Sequence, residues 1–330
     1  MAVPVLVTGG AGYIGSHAVL ALLDAGHAPV VLDDLSTGRR EAVPDGIELI
    51  VGDVGDAGML ARVLGARRYD TIMHFAGSVV VPESVADPLK YYRNNTAASR
   101  TLIEAAVEAH VPRFVFSSTA AVYGIPARIP VDEDAPTRPI NPYGWSKLMT
   151  EQMLRDSAAA RSLAYAILRY FNVAGADPKG RAGQSTPDAT TLVKVAVEAV
   201  VGKRPGVDIF GIDWPTADGT GVRDFIHVSD LVDAHVAVMD WLRAGNPSVT
   251  FNCGYGHGAS VKQVLDAVDR ASGAPLKRNV APRRPGDPPA VVADPGRLMA
   301  ALGWRPRHDD LAEIVGSALA WERSLRPRAA

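Results

Sequence analysis

Short apolar runs alternate with longer helical patterns through the first half of the chain. The short runs are rich in β-branched residues and predict strands, whereas apolar positions that recur every three or four residues predict amphipathic helices. The predicted strands are residues 3–8, 29–33, 48–52, 71–75, 114–117 and 164–169, and the predicted helices lie near 13–26, 57–66, 89–110 and 144–161. This alternation predicts an α/β fold with a Rossmann-like, doubly wound parallel sheet.

The alternation ends after about residue 172. Loops rich in glycine, proline and aspartate then separate further helical segments. The loops span 175–189, 211–223 and 282–296, and the helices are predicted near 190–202, 229–244, 260–272 and 309–325. We therefore expect a doubly wound domain at 1–172 and a smaller C-terminal α/β lobe at 173–330, with some segments interleaved. Ligands of such folds bind at the carboxyl ends of the strands, so the predicted site is the cleft between the two.

A glycine-rich loop follows the first predicted strand. In "VTGGAGYIGSHAVL", Gly9, Gly12 and Gly15 form a G-x-x-G-x-x-G pattern that leads into the first amphipathic helix. Such glycines let the backbone turn tightly and approach a pyrophosphate, while the helix N-terminus supplies N–H donors. The pattern alone is weak, but its position between a strand and a helix predicts a dinucleotide site.

An acidic residue, Asp33, ends the second predicted strand. A carboxylate at this place accepts hydrogen bonds from the adenosine ribose of NAD and repels the 2′-phosphate of NADP. Arg39 and Arg40 follow in the same loop and keep NADP as the less favoured alternative. The predicted cofactor is NAD.

A tyrosine and a lysine stand one helical turn apart in "NPYGWSKLMTE". Pro142 favours the first turn of a helix, so Tyr143 and Lys147 are predicted on one helix face. An ammonium near a phenol favours the phenolate and lowers its pKa from about 10 toward physiological pH. Such a tyrosine can take a proton from a sugar hydroxyl. Ser117, Ser118 and Thr119 end the fifth predicted strand, and a hydroxyl placed there can bond the same oxygen. A lone Y-x-x-x-K pattern is usually an ordinary surface pair, so a catalytic role needs further support.

Composition and charge narrow the function classes. The 330 residues are 47% hydrophobic and 21% charged, as in ordinary globular proteins, and a net charge of −2 argues against nucleic acid or an anionic membrane as partner. A single cysteine, Cys253, excludes an internal disulfide framework and a cysteine metal cluster. No apolar run is long enough to cross a bilayer, and a strand is predicted too early for a signal peptide. We therefore expect a cytoplasmic protein with neither membrane nor metal.

Eight motifs resemble the extended short-chain dehydrogenase/reductase superfamily and, within it, the UDP-glucose (UDP-galactose) 4-epimerase family. In chain order they are "TGGAGYIGSH", "HFAG", "PLKYYRNN", "FSSTAAVYG", "NPYGWSKLMTEQ", "LRYFNVAGA", "DGTGVRDFIHVSDL" and "PRRPGD". Motifs in this number and order, spread over nearly the whole chain, are far more specific than any one of them. The resemblance therefore supports a catalytic role for Tyr143 and Lys147.

The resemblance implies a role for each matching residue. Tyr143 is implied as the catalytic acid and base, Lys147 as the group that holds the nicotinamide ribose and lowers the pKa of the tyrosine, and Thr119 as the support of the sugar 4-hydroxyl. The implied NAD site comprises Gly9, Gly12, Tyr13, Ile14, Gly15, Asp33, Asp34, Leu35, Ser36, Thr37, Gly38, Asp53, Val54, Phe75, Ala76, Gly77, Ser78, Asn94, Ser117, Tyr143, Lys147 and Phe171. The implied nucleotide-sugar site comprises Thr119, Tyr143, Asn172, Thr191, Leu192, Phe210, Arg223, Arg284, Asp287 and Val291.

For four polar residues the sequence supports an expectation that does not depend on the family resemblance. His74, at the end of the fourth predicted strand, is expected to be packed or locally hydrogen-bonded rather than catalytic. Asp53 is expected either to reach the adenine edge or to be an ordinary turn residue. Arg223 and Arg284 suit a diphosphate, because guanidinium groups bind phosphate oxygens through two donors at once.

The activity implied by the resemblance is the reversible 4-epimerisation of UDP-glucose and UDP-galactose by a homodimer, through a transient 4-keto sugar and bound NAD/NADH. Dehydratases of the superfamily need an Asp-Glu pair after the strand-five threonine, whereas here Thr119 is followed by Ala120 and Ala121. Elimination of water therefore lacks a general acid. A nucleotide-sugar dehydrogenase that releases NADH and a non-catalytic NAD-sensing protein remain alternatives. The sequence does not decide between galactose breakdown and polysaccharide synthesis.

The chain departs from the family pattern at four positions. Val79 and Phe225 stand where some members have lysine and tyrosine, and Thr191 stands where the family usually has asparagine or histidine. Val291 replaces an aromatic residue that is common in the last sugar-facing loop. We expect the first three to leave catalysis intact and Val291 to bear on substrate range, with UDP-N-acetylhexosamines as additional substrates.

Overall fold

A parallel β-sheet with helices on both faces is the centre of the computed structural model, which describes residues 3–284 and 286–325. The strands in these residues are β1 (Val5–Thr8), β2 (Pro29–Asp33), β3 (Leu49–Val51), β4 (Thr71–His74), β5 (Arg113–Thr119), β6 (Ala164–Tyr170), β7 (Asn172–Ala174), β8 (Val207–Phe210), β9 (Val222–Arg223), β10 (Phe225–His227), β11 (Val249–Cys253), β12 (Ala259–Ser260), β13 (Arg278–Ala281) and β14 (Ala290–Val291). The helices are α1 (Tyr13–Asp24), α2 (Ala57–Ala66), α3 (Val81–Ala86), α4 (Pro88–Tyr91), α5 (Ala98–Glu108), α6 (Pro142–Ala160), α7 (Leu192–Val200), α8 (Val228–Arg243), α9 (Val261–Ser272), α10 (Gly296–Leu302) and α11 (Leu311–Ser324).

Seven strands form the central sheet in the order β11-β6-β5-β4-β1-β2-β3, and every pair is parallel. The strand order runs outward from β1 in both directions, so a crevice opens at the carboxyl ends of β1 and β4. The residues that follow β1, β4, β5 and β6 therefore meet at one edge. The remaining strands form three small sheets, in which β7 pairs with β10, β8 with β13, and β9 with both β12 and β14.

Side chains of the sheet alternate between two hydrophobic cores. Val5 and Val7 of β1 lie in a core with Leu22 of α1 and side chains of α8, on one face. Leu6 lies in the core on the other face, with Leu102 of α5 and side chains of α2 and α6. The sheet is thus buried on both faces, which is typical of parallel sheets. None of the helices in residues 3–284 and 286–325 is long and apolar enough to cross a membrane.

The predicted α/β fold is confirmed, and the predicted strands and helices lie at about their predicted places with one exception. The single helix predicted near 89–110 is wrong as one element, because α4 and α5 are joined by a π-helical turn at Tyr92–Ala97. The central sheet also has a strand that was not predicted, β11, which lies beside β6. The division of the chain at residue 172 stays a prediction, although β11 and α8 lie beyond that position and pack against β6.

Candidate active site

The glycine loop lies directly against the end of β4. Gly9 has a φ of +72°, and a Cβ there would lie 2.5 Å from the backbone nitrogen of Ala76. A Cβ on Gly15 would lie 2.1 Å from the Gly9 carbonyl oxygen, so only glycine fits either position. Gly12 is the N-cap of α1 and no side chain caps this helix among the described residues, so its first N–H groups remain available. Such a bare helix N-terminus fits the pyrophosphate of a dinucleotide.

Asp33 is held in place at the end of β2. Its Oδ2 accepts a hydrogen bond from Ala11 N at 2.9 Å and its Oδ1 accepts one from Leu35 N at 2.8 Å. Burial raises the pKa of this carboxyl, while the two N–H donors act to lower it. Arg39 is directed away from Asp33, because its Nε donates to the Ser185 carbonyl at 3.0 Å. The carboxylate is therefore the charged group fixed at the predicted ribose position, which fits NAD better than NADP.

His74 and Asp53 both form hydrogen bonds with nearby residues. His74 is buried between Thr8 Oγ1, at 2.7 Å from Nδ1, and Ser99 Oγ, at 2.8 Å from Nε2. Burial lowers the pKa of His74 to about 3, so it is a neutral packed residue, as expected. Asp53 accepts from Gly55 N at 2.7 Å in a turn, and its contact with adenine stays a prediction.

The π-helical turn carries an asparagine that was not predicted from the sequence. Asn95 is buried, and its Oδ1 accepts from Ser78 N at 2.7 Å while its Nδ2 donates to Ser146 Oγ at 3.0 Å. Asn94, which was predicted to contact NAD, donates to Ser78 Oγ at 3.2 Å. Both asparagines thus support the loop after β4, and Asn95 ties that loop to α6. A π-helical turn is frequent at functional sites, but no sequence pattern signals it.

Helix α6 begins at Pro142, as predicted, and presents Tyr143 and Lys147 on one buried face. The Asn141 side chain caps the helix by accepting from Gly144 N at 2.9 Å. The Tyr143 ring meets the Tyr91 ring edge-on, with 6.3 Å between centroids. Because cap, proline and packing all act at the first turn, the position of Tyr143 is firmly set.

The expected effect of Lys147 on Tyr143 is wrong. Burial raises the pKa of Tyr143 well above its ordinary value, the neighbouring phenols of Tyr170 and Tyr91 act in the same direction, and the hydrogen bond with Thr119 acts to lower it. Lys147 Nζ instead donates to the Ser117 carbonyl at 3.1 Å and lies 4.9 Å from the centroid of the Phe116 ring. Burial lowers the pKa of Lys147 to about 8. The structure brings Tyr143, Thr119 and Lys147 to the end of β5, but the ammonium is directed at a carbonyl rather than at the phenol.

A second tyrosine at this edge was missed. Tyr170 is the last residue of β6 and pairs in register with Thr119 of β5. Burial raises the pKa of Tyr170, whereas Ser117 and Tyr143 act to lower it. The only signal in the sequence was its place in "LRYFN", directly before two residues that were predicted to line the site.

Two arginines lie near the small sheets without a carboxylate partner among the described residues. Arg223, in β9, donates to the Val222 carbonyl at 2.9 Å, and burial lowers the pKa of its guanidinium while the charge of Asp287 acts to raise it. The guanidinium of Arg284 stacks over the Phe210 ring at 3.7 Å from the centroid. Asp287 N donates to the Arg284 carbonyl at 3.3 Å, which places both residues in one turn. Two positive groups that form no direct salt bridge within the described part of the chain fit an anionic ligand such as a diphosphate.

The remaining predicted substrate residues lie on three different elements. Asn172 is exposed at the start of β7 and Thr191 is the N-cap of α7, directly before Leu192. Val291, in β14, pairs in register with Arg223 and is buried in a cluster with Phe171. The structure thus places Val291 next to both Arg223 and Phe171, while the roles of Asn172 and Thr191 stay predictions.

Comparisons with known proteins agree with this geometry. The sequence profile of the NAD dependent epimerase/dehydratase family matches residues 5–254. A UDP-glucose 4-epimerase of Azospirillum brasilense is 60% identical over 97% of this chain and 92% of its own. A crystal structure of the UDP-glucose 4-epimerase of Bifidobacterium longum, in complex with NAD⁺ and UDP, is 37% identical, has a TM-score of 0.93 and covers 98% of both chains. The UDP-Glc/GlcNAc 4-epimerase of Campylobacter jejuni is 46% identical, with a TM-score of 0.85 over 98% of this chain and 99% of its own.

Proposed function

Because the chain belongs to the NAD-dependent epimerase/dehydratase family, we propose that it catalyses the reversible 4-epimerisation of UDP-glucose and UDP-galactose with NAD as its cofactor. One observation carries the proposal beyond the family name: the glycine loop packs against the backbone that follows β4, and Tyr143 lies with Thr119 at the end of the neighbouring strand β5, so a dinucleotide and a sugar can meet at one edge of the sheet. The relative that is 60% identical over nearly the whole chain has the same activity in its name.

The protein's own groups have three tasks in this reaction. The first turn of α1 and the carboxylate of Asp33 hold the dinucleotide. Tyr143 removes the proton from the sugar 4-hydroxyl and later returns it, while Thr119 holds the same oxygen. A bound NAD would supply the acceptor and donor of the C4 hydride, and its positive charge would favour the phenolate of Tyr143. The fixed geometry supplies much of the acceleration, because the reacting groups are held in register.

The sugar has to turn between the two hydride transfers, while the nucleotide stays in place. Arg223 and Arg284 hold the diphosphate as a fixed handle, so the transient 4-keto sugar can rotate about its bond to the pyrophosphate. The 3₁₀ turn after Thr119 contains Ala120 and Ala121, so no acid follows the threonine to drive loss of water. This arrangement favours epimerisation over dehydration.

The deciding experiment is incubation of the purified protein with UDP-glucose and, separately, with UDP-galactose, without added NAD. We expect the same mixture of both sugars from either side, with no net NADH, because each turnover restores the cofactor. Stoichiometric NADH without the second sugar contradicts the proposal and indicates a dehydrogenase. Conversion in neither direction by protein that carries NAD indicates a non-catalytic NAD-binding protein.

Alanine substitution of Arg223 or Arg284 is expected to raise KM for UDP-galactose by about tenfold to a hundredfold, because a charge-assisted bond to phosphate contributes about 1.5–3 kcal/mol. Steady-state kinetics measure the effect. Arg283→Ala is the matched control, because Arg283 pairs with Asp213 at 2.8 Å and stacks on Trp214. Unchanged KM in both Arg223→Ala and Arg284→Ala would place the diphosphate elsewhere.

We further propose that the sugar pocket admits UDP-N-acetylhexosamines. The support is Val291, a small side chain at a position where the family resemblance implies an aromatic ring, and the 46% identity with a UDP-Glc/GlcNAc 4-epimerase. Val291→Tyr is expected to lower the ratio of kcat/KM for UDP-N-acetylgalactosamine to that for UDP-galactose by about tenfold or more, since steric discrimination is worth about 1–3 kcal/mol.

Packing makes a folding control necessary for Val291→Tyr, because Val291 is buried beside Tyr123 and Phe171. Val291→Ile, which adds one methylene, is the matched control and is expected to keep the wild-type ratio. Thermal unfolding of both variants reports whether the larger ring is accommodated. An unchanged ratio in a folded Val291→Tyr protein places the selective contact elsewhere.

We propose that the partner is a second copy of this chain, docked on the face formed by α5 and α6, and that the enzyme is cytoplasmic, where NAD and UDP-sugars are found. Trp145 and Met149 are exposed on this face beside an apolar groove. The groove is lined by Tyr92, Thr96, Ala97, Arg100, Met149 and Met153. Met149→Glu is expected to halve the mass measured by light scattering, whereas Val280→Glu, at an exposed apolar site on β13, leaves it unchanged. A monomeric wild-type protein contradicts this assembly.

A further inference from the structure

Asp224 is a fully buried residue that the proposed reaction does not yet use. It lies between β9 and β10, directly after Arg223. Its carboxylate oxygens accept only backbone N–H groups in the part of the chain that the structure describes. A buried charge is costly unless hydrogen bonds compensate it, so a carboxylate at this place calls for a structural or functional reason.

The carboxylate of Asp224 joins two chain segments that follow different strands. Oδ1 and Oδ2 share the N–H of Tyr255, at 3.0 and 3.1 Å, and Oδ2 also accepts from Gly256 N at 3.0 Å. Both donors lie in the turn after β11. Oδ2 accepts a further bond from Ala293 N at 3.2 Å, just beyond β14. One side chain thus fixes the turn after β11 and the segment after β14 against the end of β9.

The backbone of Asp224 contacts two residues that are predicted to line the nucleotide-sugar site. Its N–H donates to the Val291 carbonyl at 3.2 Å, and its carbonyl accepts from Asn172 N at 2.9 Å. Arg223, the preceding residue, is predicted to hold the diphosphate. Three predicted substrate residues from three separate strands, β7, β9 and β14, therefore meet at Asp224.

The strands around Asp224 are too short to hold this arrangement alone. β9, β12 and β14 have two residues each, so their ladders contain few hydrogen bonds. Gly254 leaves room for the carboxylate, because a Cβ there would lie 2.7 Å from Asp224 Oδ2 and 2.6 Å from the Cβ of Ala293. An alanine at this position would therefore push the carboxylate and the Ala293 segment apart.

We propose that Asp224 is a positioning residue for nucleotide-sugar binding, whose ionised carboxylate holds Arg223 and Val291 in register against the turn after β11. The inference rests on the proposed function, in which Arg223 binds the diphosphate. An ionised carboxylate offers only acceptors, which suits N–H donors from two segments. A protonated carboxyl has a donor in place of one acceptor and opposes those N–H groups. No covalent bond changes in this step.

The ionisation of Asp224 depends on groups from several elements. Burial raises the pKa of Asp224 to about 6, although its N–H bonds and the charge of His257 act to lower it. His257, after β11, lies with Nε2 2.7 Å from Asp309 Oδ1. Burial raises the pKa values of the Cys253 thiol and the Tyr255 phenol, so both stay neutral. The other ionisable groups on the surrounding elements are Arg223 on β9, His227 on β10, Asp230 on α8 and Asp294 after β14.

The first test is steady-state kinetics with UDP-galactose in Asp224→Asn, whose amide has the shape of the protonated carboxyl. At neutral pH we expect KM to rise by about tenfold and kcat to stay within about twofold of wild type, because Tyr143 lies on another element. Asp56→Asn is the matched control, since Asp56 also accepts a backbone N–H, from Met59 at 2.9 Å, but on α2. Unchanged KM in Asp224→Asn, or a loss confined to kcat, would overturn the proposal.

The pH dependence separates the charge of the carboxylate from its shape. As pH falls through the pKa of Asp224, about 6, the KM of wild type is expected to rise towards that of Asp224→Asn, whose own KM stays flat. The pyrophosphate of UDP-galactose remains ionised over this range, so the substrate does not titrate. His257→Gln is expected to keep a step in KM. A step that persists in Asp224→Asn, or that disappears in His257→Gln alone, belongs to another group and contradicts the proposal.

A second variant changes the geometry and leaves the carboxyl chemistry intact. Gly254→Ala is expected to raise KM for UDP-galactose in the same direction as Asp224→Asn, because the added methyl group displaces the carboxylate. Thermal unfolding reports whether both variants fold. A folded Gly254→Ala protein with the wild-type KM would show that binding does not depend on the position of this carboxylate.

Hydrogen–deuterium exchange of the holoenzyme gives a readout that does not depend on turnover. In Asp224→Asn we expect faster exchange confined to the segments around 254–257 and 291–294, which contain the three N–H donors. Unchanged exchange there contradicts the proposed role, and faster exchange throughout the chain assigns Asp224 to general stability instead. If the wild-type protein fails to epimerise UDP-sugars, the proposed function fails while this exchange still decides whether Asp224 holds the two segments.

Discussion

Replacing Tyr143 with phenylalanine is expected to lower kcat for UDP-galactose by about 10²–10⁴-fold, the usual contribution of a positioned acid or base. The substitution removes one oxygen and leaves the ring in place against Tyr91. The loss therefore falls on proton transfer at the sugar 4-oxygen and not on packing. UDP affinity, measured by calorimetry, is expected to stay close to wild type, because the arginines proposed to hold the diphosphate lie on other elements.

The matched control for Tyr143→Phe is Tyr165→Phe, because both substitutions remove a single phenolic hydroxyl. Tyr165→Phe removes a hydroxyl from the same sheet far from the site and is expected to keep the wild-type kcat. Lys147→Ala is expected to lower both NAD retention and kcat, since a lysine at this place is implied to hold the nicotinamide ribose. Wild-type turnover by Tyr143→Phe would mean that the proton reaches the sugar oxygen by another route.

The first half of the fold was predictable because its signals are local. A buried parallel strand is a short apolar run, and Val5 to Thr8 or Phe114 to Ser117 show one between clear loops. The glycine loop and the start of α6 at Pro142 combine a turn or cap residue with the pattern that follows it. Each of these features depends on a dozen neighbouring residues or fewer.

Features that depend on distant residues were not predictable. β11 is a short run, "VTFNC", whose partner β6 lies about eighty positions earlier, and nothing near it in the sequence specifies that pairing. The π-helical turn that aims Asn95 at Ser78 interrupts an ordinary helical pattern. The Tyr170 phenol is recognisable as part of the site only once β5 and β6 are in register.

The prediction that Lys147 lowers the pKa of Tyr143 failed because helical spacing specifies neither the direction nor the burial of a side chain. Helical spacing placed the ammonium and the phenol of Tyr143 on one face, and the face is correct. Spacing does not specify the direction of a long side chain, and Lys147 extends to the Ser117 carbonyl. It also does not specify burial, which here raises the pKa of Tyr143. The sequence therefore predicts which two side chains share a helix face, but it does not predict the pKa values of those side chains.

Helix α6 is attached to the sheet through a buried ion pair, and the site depends on that attachment. Glu151, on α6, is fully buried and pairs with Arg169 of β6 at 2.6 Å. Its Oε1 also accepts from Ser118 Oγ of β5 at 2.6 Å, and Arg155 donates to Oε2 at 2.9 Å. Burial acts to raise the pKa of Glu151, but the bonds and charge of Arg169 outweigh it and hold the pKa below its usual value. The carboxylate is therefore ionised wherever the protein is folded near neutral pH.

Glu151→Ala is expected to lower the free energy of unfolding by about 3–5 kcal/mol, because it leaves the buried guanidinium of Arg169 without its counter-charge. Urea denaturation at fixed protein and NAD concentration measures the loss. Glu104→Ala is the matched control, since Glu104 also pairs with an arginine four residues away, Arg100, but on an exposed helix face. Its expected cost is only about 0.3–0.5 kcal/mol.

The same pair gives the stability a defined pH dependence. A carboxyl whose pKa is lowered by folding stabilises the protein above its unfolded pKa, about 4.3 for glutamate, and loses that contribution as pH falls through the folded pKa. Wild type should therefore lose more stability between pH 5 and lower pH than Glu151→Ala, roughly in proportion to the pair's contribution. Removing both charges, in Glu151→Met/Arg169→Met, should cost less than Glu151→Ala alone, because no unpaired buried charge remains. Equal stability of Glu151→Ala and wild type would show that Arg169 is compensated by other groups and that α6 does not depend on this carboxylate.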